Sequence, residues 1–330
     1  MTDRPGATIA GTGSYVPEKV LSNLDLTKMV DTSDEWITVR TGIKQRRIAS
    51  DGQTTASMAV MASRRALEDA RVAPEQVEVI ICATITPEMP LPATACFIQG
   101  QLGASKASAF DIAAACSGFV YGLEVGKLFI ENGQYNNVLV VGSETLSRIT
   151  DYKDRSSCIL FGDGAGAALL RSTNDPLRRI LYTHLKSDGQ KWDLLQLPGG
   201  GSRYPLSQQV LDQRMQYMKI QGRAIYKFAV NAMQELIGEA MKACNLSVDD
   251  IKLIVPHQVN QRIIDSATEK LGFPSERVYV NIDRYGNTSS ASVPIALDEA
   301  RREGKIGPGD TVIMVAFGGG LTWASAVARL

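Results

Sequence analysis

The chain has 330 residues, is 44% hydrophobic and 21% charged, and balances 35 basic against 35 acidic side chains for a formal net charge of zero. No global field draws it to nucleic acid or an anionic membrane, and its length allows two domains or one large one around a sizeable core. Five cysteines without a Cys-X-X-Cys pair argue against a disulfide framework or a metal site, and only His184 and His257 are available for imidazole chemistry.

The opening Met1–Gly6 lacks a long apolar segment, and no apolar run approaches the ~18 residues of a membrane span, so a soluble cytoplasmic protein is expected. Residues 7–17 read as a strand leaving through a glycine-rich turn. Gly11-Thr-Gly13 is a weak dinucleotide signal, because no third glycine follows in register and Pro17 blocks a helix. Thr32–Arg47 combines an N-cap-like start, Trp36 and a basic cluster ending in Arg46-Arg47, which reads as a solvated face. An amphipathic helix is predicted over 54–71 and a buried strand over 77–84. A helix then starts at 91, with proline in its first turn.

Ser108–Ile112 reads as a strand, three alanines lead into Cys116, and Ser117-Gly118 open an apolar-periodic helix. A thiol at a helix N-terminus is biased toward the nucleophilic thiolate, yet on these residues alone a buried structural cysteine fits equally well. Another strand follows over 137–144. Residues 158–170 read as a strand pair around a tight glycine turn; with no Lys-Ser/Thr after Phe161-Gly-Asp-Gly-Ala-Gly, the turn supports a site and does not cradle a phosphate. Residues 171–178 mark the boundary, giving halves 1–176 and 177–330. Residues 199–218 read as a surface excursion, 221–243 as a helix and 251–255 as a strand entering Pro256-His257. A strand over 278–282 runs into Gly286-Asn287-Thr-Ser, and 312–315 leads into the last strand pair from Phe317. His184 and Cys82, Cys96, Cys158 and Cys244 read as packing or surface residues.

The chain repeats itself. Residues 66–81 line up with 240–255 without a gap, Leu102-Gly103 with Leu271-Gly272, Phe110–Ile112 with Val280–Ile282, and Val138–Val141 with Val312–Val315. Two copies of a β-α-β-α-β unit imply largely parallel sheets. The register sets Cys116 beside Gly286-Asn287, and His257 ends the strand equivalent to 77–83. Ligand sites in α/β sheets lie at such strand ends, so one site built from Cys116, His257 and Asn287 is expected.

Ala-Ala-Cys116-Ser-Gly, Pro256-His257-Gln-Val-Asn260-Gln-Arg262, Gly286-Asn287-Thr-Ser and Phe317-Gly-Gly-Gly-Leu-Thr-Trp resemble bacterial β-ketoacyl-acyl-carrier-protein synthase III along almost the whole chain. The resemblance implies an α/β thiolase-like fold, two duplicated halves in a layered αβαβα sandwich, and a homodimer. It implies that Cys116 takes an acyl group from acyl-CoA and that His257 and Asn287 bind the thioester carbonyl of malonyl-acyl-carrier protein. The amides of Cys116 and Gly319 would form the oxyanion hole. Trp36 and Arg155 match the pair that sandwiches the CoA adenine, and Thr32, Gly222 and Asn260 match further CoA contacts. Phe161 and Phe317 fall in the substrate pocket, and Leu91 falls at the gate that one subunit presents to the other's pocket. Lys227 and Arg262 match carrier-protein docking cations. No metal or cofactor is implied, since acyl-CoA is a substrate. Asn287, in the place where elongating synthases of this fold have histidine, favours the initiating class. A homologue making a secondary-metabolite starter, a Cys-His-Asn hydrolase of papain type and a non-catalytic subunit are the alternatives. The hydrolase's Cys-Gly-Ser-Cys-Trp context is absent, and a non-catalytic subunit commonly lacks the nucleophile.

Overall fold

The first sheet is built from the first half of the chain. In the structure, a computed structural model that describes residues 4–330, β1 (Gly6–Tyr15) is followed by β2 (Val20–Ser22), α1 (Asn23–Leu26), α2 (Asp34–Thr41), β3 (Gln45–Arg47) and α3 (Thr55–Ala70). Met1–Asp3, part of the opening segment read as lacking an apolar leader, lie outside the described residues. Next come β4 (Val79–Ala83), α4 (Thr94–Leu102), β5 (Ser108–Ile112), α5 (Gly118–Glu131), β6 (Asn137–Glu144) and β7 (Gly164–Thr173). The sheet order is β1-β7-β6-β4-β5, with β4 parallel to β5 and β6, and β7 antiparallel to β6 and β1.

The second half repeats this plan. It contains β8 (Ile180–Ser187), β9 (Leu195–Gln196), α6 (Gln208–Asp212), β10 (Lys219–Ile220), α7 (Gly222–Ala243), β11 (Leu253–Pro256), α8 (Gln261–Glu269), α9 (Ile282–Tyr285), α10 (Ser292–Arg302), β12 (Thr311–Gly318) and β13 (Thr322–Arg329). Its sheet runs β8-β13-β12-β11, again mixed, and Val278 bridges Ile254 on the far side of β11, where Ala109 pairs with Ile80 in the first sheet. Each sheet thus has antiparallel strands on one side, a correction to the largely parallel expectation.

Apolar faces fix the layers. Phe119 and Leu123 of α5 and Val293 and Leu297 of α10 are buried in one core with Val140 of β6 and Met314 of β12, so the two helices lie between the sheets. Helices α3 and α4 cover the outer face of the first sheet, and α7 and α8 that of the second. The result is the five-layer αβαβα thiolase fold that the resemblance implied.

Several local expectations change. Gly11 and Gly13 do not make a turn. β1 continues through them after a register shift at Ala10, and a Cβ at Gly11 would stand 2.6 Å from the Ala70 nitrogen, so the glycines let α3 lie close on the strand. Pro92 precedes α4 and is not in its first turn; the Asp111 carboxylate of β5 caps that helix by accepting the Thr94 and Ala95 amides at 2.6 and 2.7 Å. Residues 158–170 form no hairpin: Phe161 makes a single bridge to Asn287, and β7 starts only at Gly164. The strand expected over 278–282 shrinks to the Val278 bridge because the chain turns into α9.

Candidate active site

The turn after β5 places the sulfur. Ala115 is in the left-handed region at φ 46°, and Cys116 follows at the head of α5, 6% exposed. Strand β12 crosses just behind it. A Cβ at Gly318 would stand 2.6 Å from the Cys116 nitrogen, so only a hydrogen fits there. The two halves are stitched together at this point: the Thr322 hydroxyl donates to the Ala114 carbonyl at 2.9 Å, and the Ser117 hydroxyl to the Thr322 carbonyl at 3.1 Å.

His257 leaves β11 fully buried, its amide donating to the Val315 carbonyl at 2.7 Å. Its Nδ1 lies 2.6 Å from the Ser292 Oγ, the first residue of α10, and the Gln258 amide donates to that same oxygen at 3.4 Å. Where the serine turns its single proton to Nδ1, Nε2–H is left as the donor edge of a neutral ring. Burial drives the imidazole pKa down to about 3. Nε2 has no protein partner, and the Phe317 ring stands edge-on at 5.6 Å between centroids.

Asn287 is held by backbone. Its amide donates to the Leu160 carbonyl at 2.8 Å, and its carbonyl accepts from the Gly162 amide at 3.0 Å. Its Oδ1 accepts from the Ser289 amide at 2.8 Å, which orients the side chain and leaves the Nδ2 hydrogens as donors. The Cys116 thiol is pushed up to about 12, chiefly by burial, while Ser289 beside it pulls the other way and buried Glu144 adds to the rise. Burial thus disfavours the charged form of both the thiol and the imidazole.

Cys116, His257, Asn287 and Phe317 line one cavity of about 330 Å³, with Trp36 and Arg40 also on its wall. A second cavity of about 230 Å³ also meets Cys116 and is walled by Ile85, Leu146, Met218 and Gly319. Phe161 borders both. Gly222, Asn260 and Arg262 line the larger cavity, whereas Thr32 and Arg155 do not. Arg155 instead lies over Trp36, its guanidinium carbon 4.7 Å from the ring centroid, and Arg40 packs on the same ring at 4.5 Å. Asn260 caps α8 and donates to the Arg40 carbonyl at 3.0 Å.

Lys227 sits in a separate groove with Lys191 and Arg223. Leu91 is 83% exposed and borders neither cavity of its own chain. His184 lies on β8, 3.8 Å from Glu239, outside both cavities. Sequence reading missed Arg40, Ser292 and Glu144. Arg40 was findable, being four residues from Trp36 on one helix face. Ser292 and Glu144 carried no local signal.

Two family models match the chain: 3-oxoacyl-[acyl-carrier-protein] synthase III over residues 110–189, and the C-terminal part of the same enzyme over 241–330. A β-ketoacyl-[acyl-carrier-protein] synthase III of Caldanaerobacter subterraneus subsp. tengcongensis is 51% identical over 329 residues, covering 100% of this chain and 99% of the relative. One from Clostridioides difficile is 50% identical, covering 98% of each. The crystal structure of the Aquifex aeolicus VF5 enzyme superimposes with a TM-score of 0.92 at 46% identity, covering 98% of this chain and all of the other. The chain belongs to the 3-oxoacyl-[acyl-carrier-protein] synthase III family.

Proposed function

We propose that the chain starts fatty-acid synthesis by condensing an acyl-CoA, acetyl-CoA in the simplest case, with malonyl-acyl-carrier protein. The observation that carries this reading is the shared cavity holding Cys116 from one half and His257 and Asn287 from the other.

In the first half-reaction the Cys116 sulfur attacks the thioester carbonyl of acyl-CoA. The thiol proton passes to the departing CoA sulfur, so the neutral resting thiol is deprotonated only as the new C–S bond forms. The amides of Cys116 and Gly319 receive the oxyanion. Trp36 and Arg155 hold the adenine, which requires Arg155 to swing off the ring it now covers, while Thr32, Gly222 and Asn260 contact the rest of CoA. The smaller cavity takes the acyl chain.

In the second half-reaction the bond from the malonyl α-carbon to its carboxylate breaks and CO₂ leaves beside Phe317. The electron pair moves into an enolate whose oxygen accepts from His257 Nε2–H and Asn287 Nδ2–H. A neutral imidazole suits this role because it donates without giving up its proton. The enolate carbon attacks the acyl-Cys116 carbonyl, the C–S bond breaks, and the thiolate takes up a proton from solvent. This scheme uses no metal or cofactor. Lys227 and Arg262 receive the acidic carrier protein, and Leu91, exposed on its own chain, gates the pocket of the second subunit in a homodimer. Among the described residues no helix is long and apolar enough to cross a membrane.

The test separates the half-reactions. Cys116→Ala should form no labelled acyl-enzyme from acyl-CoA. His257→Ala and Asn287→Ala should acylate normally and release CO₂ from malonyl-carrier protein about 10²-fold more slowly. Labelled protein in the cysteine variant, or undiminished CO₂ release in the other two, would refute the assignment.

A further inference from the structure

Arg46, expected on a solvated face, is fully buried. Its guanidinium touches no carboxylate among the described residues. Nη1 donates to the Leu21 carbonyl at 3.1 Å and to Asn23 Oδ1 at 2.9 Å, and Nη2 donates to the Ile159 carbonyl at 2.7 Å. Burial lowers its pKa to about 10, so it stays a cation at neutral pH. Burying an unpaired cation is unfavourable, and packing alone would be served better by an apolar side chain.

What the cation holds is the wall of the site. Ile159 and Leu160 line the larger cavity, Leu160 accepts the Asn287 amide, and Phe161 bridges Asn287. The Arg46 stem lies against the two glycines that flank this bridge. A Cβ on Gly162 would stand 3.1 Å from the Arg46 Cβ, and one on Gly286 would stand 3.4 Å from it. At the other end, Asn23 Nδ2 donates to Asp34 Oδ1 at 2.8 Å. Asp34 is the first residue of α2, the helix that carries Trp36 and Arg40. One side chain thus connects the helix at the CoA-binding side, the wall of the cavity and the backbone of Asn287.

We propose that Arg46 is a positioning residue for the condensation step: it fixes the 159–161 segment and, through it, the Asn287 backbone that sets the side-chain Nδ2 donating to the enolate. The inference rests on the role given to Asn287 above. A lysine keeps the charge and most of the stem but cannot span Asn23 and Ile159 together, since it lacks the planar fork.

Arg46→Lys should therefore fold, form acyl-enzyme from acyl-CoA within about twofold of wild type, and condense about tenfold more slowly, as expected for a displaced catalytic group. Hydrogen exchange at the Asn287 and Gly162 amides should accelerate while exchange in β4 and β6 stays unchanged. Asn23→Leu removes one acceptor of the guanidinium and the link to Asp34, and should show the same split at about threefold. Wild-type condensation by Arg46→Lys beside an impaired Asn287→Ala would overturn this inference alone. Wild-type condensation by Asn287→Ala would overturn the role of Asn287 and this inference with it. Equal loss of both half-reactions, or failure of both Arg46→Lys and Asn23→Leu to fold, would assign Arg46 to general stability and likewise overturn it.

Discussion

Cys116 and His257 border one cavity as neutral groups, and each is neutral for the same reason: burial penalises its charged form. The thiol is raised to about 12, so across neutral pH it stays protonated, and its thiolate fraction grows tenfold per pH unit until that value. Alkylation of Cys116 by iodoacetamide, followed by peptide-resolved mass spectrometry to separate it from exposed Cys96, should keep rising with pH beyond 9 in the folded protein. In the denatured chain it should level off near the ordinary thiol value of about 8.5. The imidazole, held near 3, carries no titration into the region around 6.5, so condensation should show no inflection there that His257→Ala removes. These two residues and Asn287 were legible because each sits in its own short motif. Arg46 was not, because nothing local distinguishes a buried arginine from a solvated one; the residues that lie against it, Ile159, Gly162 and Gly286, are far away in the chain.

At the level of elements, the duplication was legible in outline and misaligned at one point. Ala115 and Ser289 both take left-handed φ, 46° and 50°, at the head of the short turns that lead into α5 and α10. The structural counterpart of Cys116 is therefore Ser290, not Asn287. The four-residue helix α9, inserted before Gly286, shifts the second copy and delivers Asn287 to the cavity from the loop ahead of that turn. The Ser290 oxygen lies 2.8 Å from both the Ala83 carbonyl and a Glu144 carboxyl oxygen, a structural use of the position that holds Cys116 in the first copy. Helix-on-sheet contact was equally hidden, because Gly11 and Gly13 looked like turn residues. A side chain at Gly13 would overlap the Ala62 carbonyl of α3, so Gly13→Ala should lose about 1–3 kcal/mol by urea denaturation. Gly100, exposed in α4 with open space around it, is the control: Gly100→Ala should gain about 0.5–1 kcal/mol.

For the whole molecule the formal charge of zero sets a constraint: attraction for an acidic carrier protein has to come from local patches. Arg262 is exposed on α8 and lines the larger cavity, while Lys227 shares its groove with Arg223 one turn earlier on α7 and with Lys191. Gly222 borders both the groove and the cavity, so a carrier docked across these cations would have its malonyl thioester beside the cavity. Exposed charges act mainly on encounter and are screened within about 8 Å at physiological salt. The double reversal Lys227→Glu with Arg262→Glu should raise KM for malonyl-carrier protein about tenfold while leaving kcat within about twofold, the pattern of lost steering without lost chemistry. Added salt should raise the wild-type KM and move that of the double variant far less. Steady-state kinetics at two ionic strengths measures both effects. A fall in kcat with KM unchanged would place these cations in the chemistry of the site and not in docking.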